Sequence, residues 1–314
     1  MTAAQEWEVP SYVEVEAFVE EEVELAGAGG TISLPRDHAG TPGVVLLSGG
    51  GPFDRDETVG PNKPLKDLAW GLASRGIAVA RFDKLTPGLT MTEQYLPSAT
   101  AAIDALGKHC DPARIFLVGH SMGGRVAPEI ARRNPSVAGL VLLAADTRPL
   151  HEAAVRVGRH LAAMDPETYQ PLLAVFEQQA AAVADPALSP ETPAEQLLFG
   201  FPAAFWLELR EHDPVATASA LHLPMLILQG GRDYQVTVEH DLADWRRALE
   251  DRATIRVHDK DDHLFFPGDH SSTPSDYTKP QHVDPVVVDE IADWIRSGPP
   301  APRSPAGGRA AARS

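Results

Sequence analysis

At 314 residues the chain is long enough for one large α/β domain, or for a core domain with an insertion. With 27 basic against 44 acidic residues it carries a formal charge of −17, which disfavours nucleic acid and anionic membrane surfaces as partners. A single cysteine, Cys110, excludes an intramolecular disulfide framework and any cysteine-rich zinc site.

The first 20 residues have no basic start, no continuous apolar run and no small-residue cleavage site. No secretory signal is expected there, and a cytoplasmic location is the expectation. No stretch approaches the ~20 apolar residues of a membrane-spanning helix. Residues 12–34 alternate apolar positions (Val13, Val15, Val19, Val23, Leu25) with acids, then turn at Gly27–Gly30. That pattern predicts a hairpin with one wet face. Val44–Leu47 is an unbroken apolar run ending in Ser48-Gly49-Gly50-Gly51-Pro52, as for a strand buried on both faces of a parallel sheet.

Helices are predicted over Lys63–Arg75, Met91–Lys108, Met122–Arg133, Val238–Glu250 and Val286–Ile295. Strands are predicted over Ile77–Phe82, Arg114–Val118, Leu140–Ala145, Met225–Leu228 and Thr254–Val257. The alternation implies an α/β fold with a mostly parallel sheet covered on both sides. Residues 147–222 carry no strand signal and are rich in Ala, Leu, Glu and Gln, so a helical cap is expected there. The expected division is a core of 1–146 and 223–296, a cap of 147–222, and a disordered Pro- and Gly-rich tail of 297–314.

Gly119-His120-Ser121-Met122-Gly123 fits a strand-to-helix nucleophile turn, with an apolar strand before it and an amphipathic pattern after it. Such a turn strains the serine backbone and crowds its neighbours, hence the glycines. It also sets the Met122 N–H at a helix N-terminus, where developing negative charge is favoured. A serine needs a base to take its proton and a third group to fix that base. Following the chain order Ser, acid, His, the acid is Asp233 in Gln229-Gly230-Gly231-Arg232-Asp233. The competing reading for Asp233 is a helix cap before Val236. Asp146, at the end of an earlier strand, is an alternative acid, with capping of the insertion as its expected role. His263 is the expected base, and His258, His270 and His282 compete for it. A metal site on His258, Asp261 and His263 is weighed and set aside for want of further ligands. His120 is read as packing. The loop Ser48–Pro52 should give the second oxyanion donor, with Gly50 chosen and Gly51 adjacent; Pro52 has no N–H.

With these residues the chain resembles bacterial α/β-hydrolases of the dienelactone-hydrolase-like and serine-aminopeptidase-like esterase group. The resemblance rests on Ser48–Pro52 with Asp54-Arg55-Asp56, Gly119–Gly124, Gln229–Asp233 and His263-Leu264-Phe265, and runs from about residue 15 to 296. It implies ester or thioester hydrolysis without a cofactor. Two departures stand out: Gly50 replaces a side chain that often assists the oxyanion, and Asp259, Asp261 and Asp262 crowd the histidine, which would raise its pKa. Gly51 and the insertion's Tyr169, Phe205 and Trp206 are candidate substrate contacts, with the insertion's own core as the competing reading for its aromatics, Phe199 and Phe201 included. The alternatives are a tailoring enzyme of secondary metabolism that uses the same triad for other chemistry, and a non-catalytic binding protein. A small molecule is the expected partner, and a homodimer stays open.

Overall fold

The computed structural model describes residues 6–85, 89–249 and 251–298. Its strands form one eight-stranded sheet, in the spatial order β1-β2-β4-β3-β5-β6-β7-β8. The predicted hairpin is β1 (Phe18–Leu25) and β2 (Ala28–Pro35), paired antiparallel. Its turn, Ala26 and Gly27, has φ of 55° and 88°, the left-handed pair that matches the twist of two adjoining strands. β2 then joins β4 (Ala78–Phe82) antiparallel, and every later pairing is parallel: β3 (Gly43–Leu47) lies between β4 and β5 (Ile115–His120), and β6 (Val137–Leu143), β7 (Met225–Gly230) and β8 (Ala253–His258) follow.

Alternating side chains of the buried strands feed two separate cores. Val45, Leu47, Leu117 and Ile227 face one side, with α2 (Met91–Leu106), α3 (Met122–Arg133) and α8 (Ala243–Leu249) packed on it. Val44, Leu46, Val118 and Leu226 face the other, covered by α1 (Pro64–Ala73) and α9 (Pro285–Ser297). Burial on both faces is why these strands read as continuous apolar runs. The layered architecture is that of an α/β-hydrolase.

Several boundaries differ from the periodicity. β6 begins three residues early and stops at Leu143, because Ala144 turns to φ 45° and leaves the sheet. The helix expected from Val238 opens with a wide π-turn over Val238–Leu242 before α8. Helix α9 runs to Ser297, the first residue of the expected tail; residues 299–314 of that tail, and Glu250, lie outside the described residues.

Between β6 and β7 the chain forms α4 (Leu150–Met164), α5 (Pro166–Ala184), α6 (Ala203–Glu211) and α7 (Pro214–Ala220), with no strand among the described residues there. Phe205 and Trp206 of α6 are 0% and 1% exposed and join the core on the α2–α3 face. No helix among the described residues is long and apolar enough to cross a membrane.

Candidate active site

Parallel strands bring their C-terminal ends to one edge, and the loops leaving that edge carry the candidate residues. Ser121 connects β5 to α3 with φ 51° and ψ −119°, a left-handed backbone that a non-glycine residue adopts at a cost of about 1–3 kcal/mol. Its N–H donates to Leu143 O at 2.8 Å, and its own carbonyl accepts the Arg125 N–H at 3.0 Å. The flanking glycines are sterically required. A Cβ on Gly119 would lie 2.3 Å from Gly123 O, and one on Gly123 would lie 2.2 Å from Leu47 O.

Asp233 follows β7 and is 6% exposed. Its Oδ1 accepts the N–H groups of Gln235 at 2.7 Å and Val236 at 3.0 Å; its Oδ2 accepts from His263 Nδ1 at 2.8 Å and from Gln229 Nε2 at 3.1 Å. One oxygen therefore shapes the turn, and the other holds the imidazole. Among the described residues no side-chain hydrogen bond engages His263 Nε2, and none joins it to the Ser121 hydroxyl. In unliganded sites such catalytic bonds commonly tighten only with substrate present.

The competing groups are committed elsewhere. His258 Nε2 lies 3.1 Å from Glu290, His270 Nε2 lies 3.1 Å from Asp276, and His282 Nδ1 lies 3.2 Å from Asp67. Asp146 does not cap the insertion: its Oδ2 accepts from Arg125 Nη1 at 2.8 Å, and the N–H of Thr147 is taken by Asp241 at 2.9 Å. The crowding acids are not uniformly charged. Burial, then the nearby Asp284, pushes Asp261 up to about 7, and burial pushes Asp262 up to about 6. Asp259 is exposed.

Gly50 sits over Met122, whose Cε would lie 3.3 Å from a Cβ at that position, and Gly51 lies against the Phe53 ring. The peptide just before them is held from several sides. Gly49 N–H donates to Glu57 Oε1 at 2.8 Å, and Gly49 O accepts from Lys84 Nζ and from the Tyr95 hydroxyl at 3.0 Å. His120 is more than packing. Its Nδ1 lies 2.9 Å from Glu57 Oε1, and its Nε2 lies 2.8 Å from His263 O. A carboxylate and a carbonyl facing the two ring nitrogens favour the doubly protonated imidazolium. Burial alone would lower its pKa, but Glu57 and the His263 carbonyl outweigh that and raise it. The bridge ties the Gly49 loop to the loop carrying His263. Glu57, at φ 54°, accepts backbone strain at that junction, as does Phe265 at φ 60°.

Sequence reasoning missed Glu57, Lys84, Tyr95 and Gln229. The acidic run Asp54-Arg55-Asp56-Glu57 was a signal, but its first three members hold structure instead. Asp54 binds Thr58, Arg55 pairs with Asp83 at 2.8 Å, and Asp56 pairs with Arg81 at 2.9 Å and Lys63 at 2.8 Å.

The insertion's aromatics divide. Phe205 packs 4.5 Å from Phe201 and 5.4 Å from Trp206, ring centre to ring centre, so its expected substrate contact gives way to the insertion's core. Trp206 lines a cavity of about 720 Å³ with Arg125, Leu209 and His212, and none of Ser121, Asp233 or His263 lines it. The substrate contact expected of Trp206 is displaced from the candidate site. Tyr169 is half-buried on α5. A second cavity, about 610 Å³, is lined by Asp233, Tyr234, Arg156, His160 and Arg232, with His160 of α4 stacked on Tyr234 at 5.3 Å.

Comparisons with known proteins identify the family and the fold. The family described as serine aminopeptidase, S33, matches residues 63–266. Esterase EstD of Thermotoga maritima is 38% identical over 299 residues, which are 92% of this chain and 70% of that protein. The esterase domain of a Rhodothermus marinus protein shares the fold at a TM-score of 0.55 and 19% identity, covering 89% of this chain and 98% of that one. Est1E from Butyrivibrio proteoclasticus does so at 0.57 and 16%, covering 89% and 99%. The chain belongs to the serine aminopeptidase, S33, family of α/β-hydrolases.

Proposed function

We propose that the chain hydrolyses carboxylic esters or thioesters through an acyl-enzyme on Ser121. Ser121 Oγ attacks the acyl carbon while His263 Nε2 takes its proton. The N–H groups of Met122 and Gly50 hold the oxyanion, and Asp233 steadies the imidazolium. Collapse expels the alcohol or thiol, which receives the proton from His263. Water, deprotonated by the same nitrogen, then attacks the ester carbonyl, releases the acid and restores Ser121.

The observation carrying this reading is the 2.8 Å contact of His263 Nδ1 with Asp233, which turns the ring's other nitrogen free, on the same sheet edge as the strained Ser121. The esterase relative supports the choice of substrate class. In the same reading α4–α7 act as a cap over the edge, Gly51 and Tyr169 contact substrate, and the single cysteine suits a cytoplasmic location.

The test is a fluorophosphonate probe with a p-nitrophenyl ester assay. Wild type should be labelled and turn over short esters, and Ser121→Ala should lose both. Undiminished labelling of Ser121→Ala would sink the assignment. A tailoring enzyme acting on a bulky metabolite is the second reading, favoured by the four-helix insertion. It predicts labelling without turnover of simple esters.

A further inference from the structure

Gly49 C=O and Gly50 N–H belong to one peptide unit, so whatever binds that carbonyl acts on that N–H. The carbonyl accepts from Lys84 Nζ, and the Tyr95 hydroxyl bridges the same group to Ser48 O at 2.9 Å while accepting from Lys84 Nζ at 2.9 Å. Lys84 is 7% exposed and pairs with no carboxylate among the described residues. Its chain neighbour Asp83 is held by Arg55. The groups facing Lys84 are Glu57 from the loop, whose Oε1 is occupied by Gly49 N–H and His120, and from α2 the hydroxyl and ring of Tyr95. Phe53 closes the remaining side, its ring centre 5.9 Å from Nζ. A buried ammonium costs much in desolvation, and here its hydrogen bonds to Gly49 O and to the Tyr95 hydroxyl offset that cost.

We propose that Lys84 is a positioning residue for the oxyanion hole, its ammonium fixing and polarising the Gly49–Gly50 peptide so that Gly50 N–H donates more strongly as negative charge develops. The inference rests on the reading of Ser121 as nucleophile and Gly50 N–H as oxyanion donor. Positive charge at the carbonyl oxygen draws the amide toward its charge-separated resonance form, which raises the partial charge on the N–H. Little solvent intervenes, so the effect is not screened. The side-chain assistance missing at Gly50 thus arrives through the backbone, from a residue 34 positions away.

The charge is also conditional. Desolvation pushes Lys84 down to about 7, Glu57 opposing it in part, so the ammonium fades across the neutral range. Arginine at this position would stay charged throughout.

The experiment follows p-nitrophenyl acetate hydrolysis by the full chain from about pH 6 to about pH 9, with fluorophosphonate labelling and thermal melts of each variant. Wild-type kcat should fall on the alkaline side with a midpoint near neutrality. Lys84→Arg should abolish that fall. Lys84→Met should lower kcat at pH 6.5 by about 10- to 100-fold with KM within about threefold and no loss of melting temperature. A Lys84→Met enzyme with kcat within about threefold of wild type overturns the inference, and so does an alkaline limb near neutrality that survives in Lys84→Arg. Failure to label wild-type Ser121 would instead overturn the underlying serine reading.

Discussion

Replacing Asp233 by Asn changes one atom, and the surroundings dictate where it goes. Oδ1 faces two backbone N–H groups, from Gln235 and Val236, so that position must stay an acceptor. The new amide nitrogen is therefore forced into the Oδ2 position, opposite His263 Nδ1 and Gln229 Nε2. There it donates. His263 Nδ1 must then accept, so the neutral ring's one proton moves to Nε2, the nitrogen that would receive the serine proton. Gln229 cannot turn its oxygen toward the new amide without losing its 2.8 Å bond to Val236 O, so one buried donor loses its partner.

Two magnitudes follow. The stranded polar contact costs about 1–3 kcal/mol of stability, which leaves a domain of this size folded. The wrong tautomer costs about 10⁴ in kcat, roughly 5.5 kcal/mol of barrier. The assay is p-nitrophenyl ester turnover beside a urea titration. In a Ser121→Ala background the same substitution should cost almost nothing further, because the three groups act as a unit. A folded Asp233→Asn enzyme within tenfold of wild type would refute the reasoning. Asp146 could not then rescue it without first leaving Arg125.

Three further outcomes are expected. Glu57→Gln removes the counter-charge of His120, which can then keep only one of its two ring hydrogen bonds, at a cost of about 2 kcal/mol. Because His120's folded pKa is raised, its contribution is complete below the unfolded imidazole value and lost as pH rises through the folded one. Urea melts should show the wild-type advantage shrinking toward alkaline pH, and an advantage that grows would contradict the bridge. Gly123→Ala drives a methyl to 2.2 Å from Leu47 O, a backbone atom in the sheet that cannot yield, so a loss of more than about 3 kcal/mol or no soluble protein is expected. A melt within a degree or two of wild type would contradict that packing. Asp261, pushed up to about 7 with both oxygens buried and unpartnered, stabilises least once ionised. Asp261→Asn should therefore be more favourable above pH 7 than at pH 5 by about 1–3 kcal/mol, and equal effects at the two pH values would count against it.

Much of the fold was legible because the physics behind it is local. Val44–Leu47 and Met225–Leu228 read as strands since both their faces are buried, whereas the one wet face expected of the hairpin is not what forms: β1 is exposed along most of its length, with only Phe18 and Leu25 buried, and β2 is buried on both faces. Boundaries were less legible wherever tertiary contacts set them. Nothing local to Ala144 announces φ 45°; it leaves the sheet where its N–H donates to Leu228 O on the neighbouring strand. For Phe205 and Trp206 pocket and core both stayed open as readings, for a related reason. An aromatic helix in an insertion has the same pattern whether it lines a pocket or joins the core.

The candidate site divides along the same line. Ser121 stands out because its turn is local, with glycines forced by contacts within five residues and by the adjacent strand β3. Asp233 and His263 could be picked by chain order and by the strands before them. Lys84, Tyr95 and His120 could not, because each acts across 30 to 150 positions or through a backbone atom that has no side-chain signature, and the acidic run around Glu57 does not say which of its members faces the site. Gly49 concentrates the difficulty: its N–H is held by Glu57 and its carbonyl by Lys84 and Tyr95, yet in the sequence it is one glycine among three. A loop without side chains can be rigid only if its peptide groups are gripped from outside. The side chain missing at Gly50 looks like a loss of oxyanion assistance, yet the run of three glycines is what lets a buried ammonium and a buried carboxylate close on opposite ends of Gly49.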